Sequence, residues 1–187
     1  GLQLLVRDNL AYLLQSGGAP GMKIYDVTNP RRPQELTEGV APIGGFANTQ
    51  AVFTADGLVT FGSMGEFGFC GASFSAVRLT DPLQPEPVDG WDEPNCVYDI
   101  ATSPDGRFLY SAGQQGLRVY DVSDLTAPTE VGHFEYPFHK VETAVVHNDR
   151  IYAIAPTGQE YQLATASLGN GDLDFTTVES VTLPDSP

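Results

Sequence analysis

Residues 21–36 (GMKIYDVTNPRRPQEL) and 116–131 (GLRVYDVSDLTAPTEV) are one phrase written twice, at a constant offset of 95 residues (Asp26 to Asp121). Gly, Tyr, Asp, Val, Pro and Glu recur in place. Met22/Leu117, Lys23/Arg118, Ile24/Val119 and Thr28/Ser123 exchange like for like. Self-similarity at a fixed period is the signature of a repeat architecture. It constrains the fold of this chain more tightly than it constrains the chemistry.

A shorter period lies inside the long one. Ser103-Pro104-Asp105-Gly106 reads as a turn between two β-rich runs, with Asp-Gly supplying the positive φ of a tight hairpin. Ala55-Asp56-Gly57, Asn148-Asp149 and Asp8-Asn9 mark the same place elsewhere. After each turn the pattern predicts a strand, at 10–15, 58–62, 108–112 and 151–155. A third follows at 22–27, 75–79, 117–122 and 161–166, and a fourth at 33–37, 85–89, 128–133 and 175–183. Thr28-Asn29-Pro30, Thr80-Asp81-Pro82 and Ser123-Asp124-Leu125 end the third strands. There Asx and Ser/Thr side chains cap the backbone and Pro stops the ladder. Convincing helical periodicity is nearly absent.

The expectation is therefore an all-β chain of four four-stranded units at a spacing of about 40–50 residues, within the range of propeller blades. Their approximate bounds are 1–46, 47–94, 95–138 and 139–187. One four-stranded meander cannot bury both of its faces, whereas radial stacking of several can, which is the β-propeller. A sandwich is the rival, but it has no need of equal repeats.

Hydrophobic residues at 41% and charged residues at 18% fit a globular protein. No apolar run is long enough for a membrane-spanning helix, and no signal peptide is visible. The chain lacks an initiator Met, which suggests a processed protein or an excised piece. The formal net charge of −15 repels phosphates and anionic lipid, so nucleic acid is not an expected partner. Solubility explains the acidity plainly, and binding of cations or a basic partner explains it more sharply.

Leu10-Ala11-Tyr12 together with 21–33 resembles the LVIVD repeat of bacterial and archaeal surface proteins. Residues 103–110 (SPDGRFLY) with Val119-Tyr120-Asp121 are similar to YVTN and lactonase-type propellers. The second unit departs from the pattern: Arg78 stands where Asp26 and Asp121 stand, and an insertion fills 65–73. In the fourth unit Ala164 takes the Asp position. The resemblance implies six to eight blades. Four units then mean either a compact four-bladed ring or, the expectation adopted, part of a larger ring or chain.

Levelling the Asp-Gly turns makes Gln50, Asp99 and Glu142 equivalent, with Ala47, Cys96 and His139 a step earlier. Gln50, Asp99, His139 and Glu142 are thereby expected to ring one channel mouth. Carboxylates with an imidazole suit a divalent cation such as Ca²⁺. Polar residues hydrating the mouth are the plainer alternative, since no EF-hand loop or His-Glu-x-x-His is present. Lactonase-like relatives, as the resemblance implies, hold a metal with such residues. Asp26 and Asp121 look like a carboxylate pair, but their regular context reads as turn capping.

Cys70 and Cys96 are the two cysteines. In a propeller their loops emerge on one face. A bridge would constrain the unfolded chain by roughly 3 kcal/mol and point to an oxidising compartment; two free thiols are the alternative. Phe67 and Phe69, in the segment GEFGFCG at 65–71, join Trp91, Tyr136 and Phe138 on that face. These five aromatics are the expected binding surface.

Three functional readings follow. The first is an exported (periplasmic, cell-surface or extracellular), non-enzymatic binding or scaffold module for a protein or glycan, or for other subunits of an assembly. The alternative is a metal-dependent, lactonase-like hydrolase at the channel mouth. The third is a structural segment whose terminal blades need cover.

Overall fold

A computed structural model describes residues 2–15, 21–37, 49–63, 72–93, 96–134, 140–157, 160–168 and 176–181. They form sixteen strands, and no helix occurs among the described residues. Blade 1 comprises β1 (Leu2–Arg7), β2 (Leu10–Gln15), β3 (Gly21–Asp26) and β4 (Gln34–Glu35). Blade 2 comprises β5 (Thr49–Phe53), β6 (Gly57–Ser63), β7 (Ala72–Arg78) and β8 (Glu86–Glu93). Blade 3 comprises β9 (Val97–Thr102), β10 (Phe108–Gly113), β11 (Gly116–Asp121) and β12 (Thr129–Phe134). Blade 4 comprises β13 (Thr143–His147), β14 (Arg150–Thr157), β15 (Glu160–Ser167) and β16 (Thr176–Val181). Each blade is an antiparallel sheet whose strands pair in sequence order. Two compact units result: Gly1–Pro94 holds blades 1 and 2, and Asn95–Pro187 holds blades 3 and 4.

The turns between first and second strands differ in length. Asn148 and Asp149, both at positive φ (47° and 56°), close a two-residue hairpin from His147 to Arg150. Asp8 takes φ 56° in the turn between β1 and β2, and Gly106 takes φ 71° in the turn between β9 and β10. The turn before β6 differs from expectation, because Gly57 is not in the left-handed region. Thr54 closes that turn instead. Its N–H donates to Gly57 O (2.9 Å), and its hydroxyl accepts from Gly57 N–H (3.1 Å).

The exits from the third strands repeat closely. Asn29, Asp81 and Asp124 each accept from the N–H two residues on, at 3.2, 3.0 and 2.9 Å. The carbonyl of each also accepts from the N–H three residues on. These are Asx turns, which the short acceptors of Asn and Asp favour. Asp26 and Asp121 add an earlier cap on Thr28 N–H (2.7 Å) and Ser123 N–H (3.0 Å). The repeated Tyr-Asp pair is thus turn architecture, as its regularity suggested. The repeat's basic residue and its Glu also meet across strands three and four: Lys23–Glu35 at 2.9 Å and Arg118–Glu130 at 2.7 Å.

Period-two alternation gives each blade two faces. In the first unit, Tyr12, Leu14, Met22 and Ile24 of blade 1 pack on Ala51, Leu58 and Val77 of blade 2. In the second unit, Tyr110, Ala112, Leu117 and Val119 of blade 3 pack on Ala144, Ile151, Ala153 and Ala164 of blade 4. The pairing register makes these interfaces equivalent, Tyr12 with Tyr110 and Ile24 with Val119. Each pair therefore buries the forward face of the earlier blade against the rear face of the later one. Fully burying one such side chain contributes about 1.5–3 kcal/mol.

Candidate functional site

First strands of consecutive blades lie side by side within each unit, and side chains stitch them together. In the first unit Gln3 Nε2 donates to Ala51 O (2.9 Å), and Arg7 Nη2 donates to Thr54 O (2.7 Å). The Arg7 guanidinium also lies 4.0 Å above the Phe53 ring. In the second unit Asp99 accepts the Thr143 hydroxyl and the Ala144 N–H (3.1 Å) on Oδ2, and the Ile100 N–H (2.9 Å) on Oδ1. By strand pairing Gln3 sits opposite Leu14, Gln50 opposite Phe61, Asp99 opposite Ala112 and Thr143 opposite Ile154. These four positions are equivalent.

That register corrects the expected metal set. Gln50 and Asp99 do share a position, but the residue of blade 4 that joins them is Thr143, not Glu142. The two-residue turn at Asn148-Asp149 is shorter than the turns of blades 2 and 3, so levelling the turns displaces the first strand by one residue. A one-residue shift sends a side chain to the other face of a strand. Asp99 has both carboxylate oxygens engaged in the blade 3–blade 4 seam. Gln50 shares a cross-strand row with Phe61, Phe74 and Trp91. His139 lies outside the described residues. Among the described residues no three His, Cys, Asp or Glu side chains gather as metal ligands.

Glu142 belongs to a different group. Its Oε1 accepts from Lys140 Nζ at 2.7 Å, and the same ammonium lies 5.0 Å from the centre of the Tyr98 ring. Tyr98 is 41% exposed. Lys140, the residue nearest Glu142 in charge, has its pKa raised, chiefly by that hydrogen bond and then by the carboxylate's field. An exposed aromatic with a cation over its face, the cation held by a carboxylate, groups apolar area with charge at one place on the surface. Sequence reasoning missed Tyr98 and Lys140. The acid–base spacing of Lys140 and Glu142, one residue apart before a strand, was the available signal.

Of the five expected surface aromatics, Trp91 alone lies among the described residues; Phe67, Phe69, Tyr136 and Phe138 lie outside them. Trp91 is not in a connection as expected. It sits in β8, opposite Phe74, with ring centroids 4.8 Å apart and planes at 13°. A bulge between Phe74 and Ala76 lets β8 run on past Gly90, where a Cβ would fall 1.9 Å from Phe74 O. Cys96 is disulfide-bonded; Cys70 lies outside the described residues.

No protein-family model matches the chain, and no curated protein matches it. Solved structures do. A functionally unknown protein from Desulfotomaculum acetoxidans superposes with a TM-score of 0.66 at 14% identity, over 96% of this chain and 54% of that one. The hypothetical selenium-binding protein ST0059 of Sulfolobus tokodaii gives 0.61 at 11% identity, over 92% and 54%. The β-propeller domain of Myceliophteria thermophila Cps50 (Swd1) gives 0.60 at 14% identity, over 95% and 57%. The chain thus spans about half the length of these structures. At such low identity the likeness is one of fold: the four sheets are blades of a β-propeller.

Proposed function

We propose that this chain is an exported, non-enzymatic propeller module that binds a protein or glycan component of a surface assembly. The observation that carries the reading is the exposed Tyr98 ring with the Lys140 ammonium over it, itself held by Glu142. Aromatic and cationic side chains grouped this way anchor contacts well, since they offer area and direction at little entropic cost. The disulfide at Cys96 supports an oxidising compartment. The resemblance of 10–12 and 21–33 to the LVIVD repeat of surface proteins supports the same setting.

The hydrolase alternative loses its main motive. Asp99 is held by three hydrogen-bond donors in a seam, and Glu142 is engaged with Lys140 away from it. Neither arrangement leaves a nucleophile or base poised toward substrate.

Binding of the chain to surface-protein and polysaccharide fractions of the producing organism tests the proposal. Saturable binding that falls at least roughly tenfold in Tyr98→Ala and Lys140→Ala, with thermal stability unchanged, is the expected result. Binding untouched by either substitution would overturn this face as the site. A chain whose mass is the same before and after reduction with alkylation would remove the support for export.

A further inference from the structure

Among the described residues, the first and second strands pair without a shift in blades 1, 2 and 4 and with one in blade 3. There Val97 faces Gly113 and Asp99 faces Ala112, two adjacent residues of β10, which leaves Tyr98 as the extra residue of a β-bulge. In blade 2 the equivalent residues, Thr49 and Gln50, are adjacent, so nothing there corresponds to Tyr98. Val97 is 3% exposed, while the bulged Tyr98 is 41% exposed. Bulges re-aim side chains in this way beside functional sites.

The charged pair is fastened to the same point of the chain. Gly113 O accepts the Val141 N–H at 2.8 Å, and Val141, between Lys140 and Glu142, is fully buried. Gly113 also lies directly against the start of β9. A Cβ there would fall 2.2 Å from Cys96 O, which itself accepts the Gln114 N–H at 2.9 Å. Cys96 is in turn disulfide-bonded. The segments before Tyr98 and around Val141 both meet Gly113, so ring, ammonium and carboxylate are in place before a ligand arrives. Such preorganisation lowers the ordering cost of binding.

The chemistry of the group selects a neutral, hydroxyl-rich ligand. Lys140 has three N–H donors and Glu142 two acceptor oxygens, and their 2.7 Å bond uses one of each. What remains is a cationic donor beside an anionic acceptor. Two neighbouring hydroxyls match that pair, one accepting and one donating, in charge-assisted hydrogen bonds. The pair is neutral in sum. An anion would compete with Glu142 for Lys140 and meet a formal net charge of −15; a cation would have to displace Lys140 from both carboxylate and ring. The apolar C–H face of a sugar finds its area on the Tyr98 ring. We infer that the Tyr98–Lys140–Glu142 surface is a subsite for a neutral polysaccharide, with a sugar ring against Tyr98 and adjacent hydroxyls on Lys140 and Glu142. The inference rests on the reading of this surface as a binding site and narrows its ligand to glycan.

Affinity electrophoresis of the chain, disulfide intact, in native gels containing a neutral glucan, mannan, galactan or xylan, or a polyuronate, is the test. Retardation by at least one neutral polymer and none by the polyuronate is the expected result. Added salt should change it little, because the site carries no net charge. Tyr98→Ala should weaken binding at least roughly tenfold, and Tyr98→Phe should keep most of it, because the ring supplies the apolar contact. Glu142→Gln should weaken it at an unchanged thermal midpoint. Preferential retardation by the polyuronate, or retardation by a neutral polymer that survives Tyr98→Ala, would overturn the inference. No retardation by any neutral polymer, together with saturable, Tyr98-dependent binding to a surface-protein fraction, would overturn it and leave the surface as a protein-binding site. Absence of both would remove the inference and the binding site together.

Discussion

The two blade-to-blade seams use one position for opposite ends of a hydrogen bond. Gln3 donates its amide to the Ala51 carbonyl, whereas Asp99 accepts from the Ala144 N–H and the Thr143 hydroxyl. The apolar layers differ too. Tyr12 meets the edge of Phe53, at 5.3 Å and 77°, among Leu58 and Val77. Tyr110 instead faces a rear surface containing Ala144, Ala153, Ala155, Ala164 and Ala166. The exits from the third strands of blades 1 and 3 are near copies, while their seams are not. Repetition therefore maintains those turns, and divergence at the seams gives each pair of blades its own complementarity, which discourages out-of-order packing.

The largest expected effects come from the shared tyrosines. Tyr12→Ala and Tyr110→Ala should each cost about 3–5 kcal/mol in urea denaturation, as large aromatic deletions in cores do. If only one loses stability, the two seams are not energetic equivalents. Next, Ala153→Leu should destabilise by about 1–3 kcal/mol, because an alanine-lined surface has no room for three more carbons. Thr60→Val at the equivalent position of blade 2 should change little by comparison. At the polar stitch, Asp99→Ala should cost about 1–3 kcal/mol, since it strands the buried donors of blade 4. Gln3→Ala should cost about 0.5–1.5 kcal/mol, the worth of one neutral bond. Equal losses would erase the distinction between the seams.

The smallest effect concerns the turns and is read as a pH dependence. The Ser123 hydroxyl, then Arg107 and the Ser123 N–H, lower the Asp121 pKa from the usual 3.8 to about 2. The folded form thus holds its proton more weakly than the unfolded form. That contribution is complete above about pH 4 and is lost as pH falls through about 2. Asp26 is lowered as well, led by the Thr28 hydroxyl and then the Thr28 N–H. Thermal midpoints measured between pH 6 and pH 2 should fall less steeply in Asp121→Asn than in the parent chain. Asp26→Asn should flatten the curve less. Parallel curves for all three would show that the turn carboxylates do not couple to folding.

The hairpins were legible because their determinants are local. Asn29, Asp81 and Asp124 act on the backbone two and three residues ahead, so sequence alone carries that interaction. The seams were not legible in the same way. Recognising Thr143 as the partner of Gln3, Gln50 and Asp99 depends on the length of the turn at Asn148-Asp149, which shifts the whole of β13. Anchoring on Tyr12, Tyr110 and Tyr152, with each turn given its own length, would have found it. Trp91 escaped for a related reason: a bulge and Gly90 let a strand continue where its polar sequence suggested a connection. Gln3 was overlooked for the same reason as Thr143, since the Asp8-Asn9 turn is as short as that at Asn148-Asp149 and displaces its first strand likewise.

Every sheet pairs its strands in the order in which they are made. No strand has to wait for a distant partner within its own blade, so ring-closure entropy during sheet formation stays small. A blade emerging from the ribosome can complete its hairpins at once but cannot dry its forward face until the next blade arrives. Within each unit folding is then expected to be vectorial, the earlier blade holding an unfinished surface open until the later one closes it.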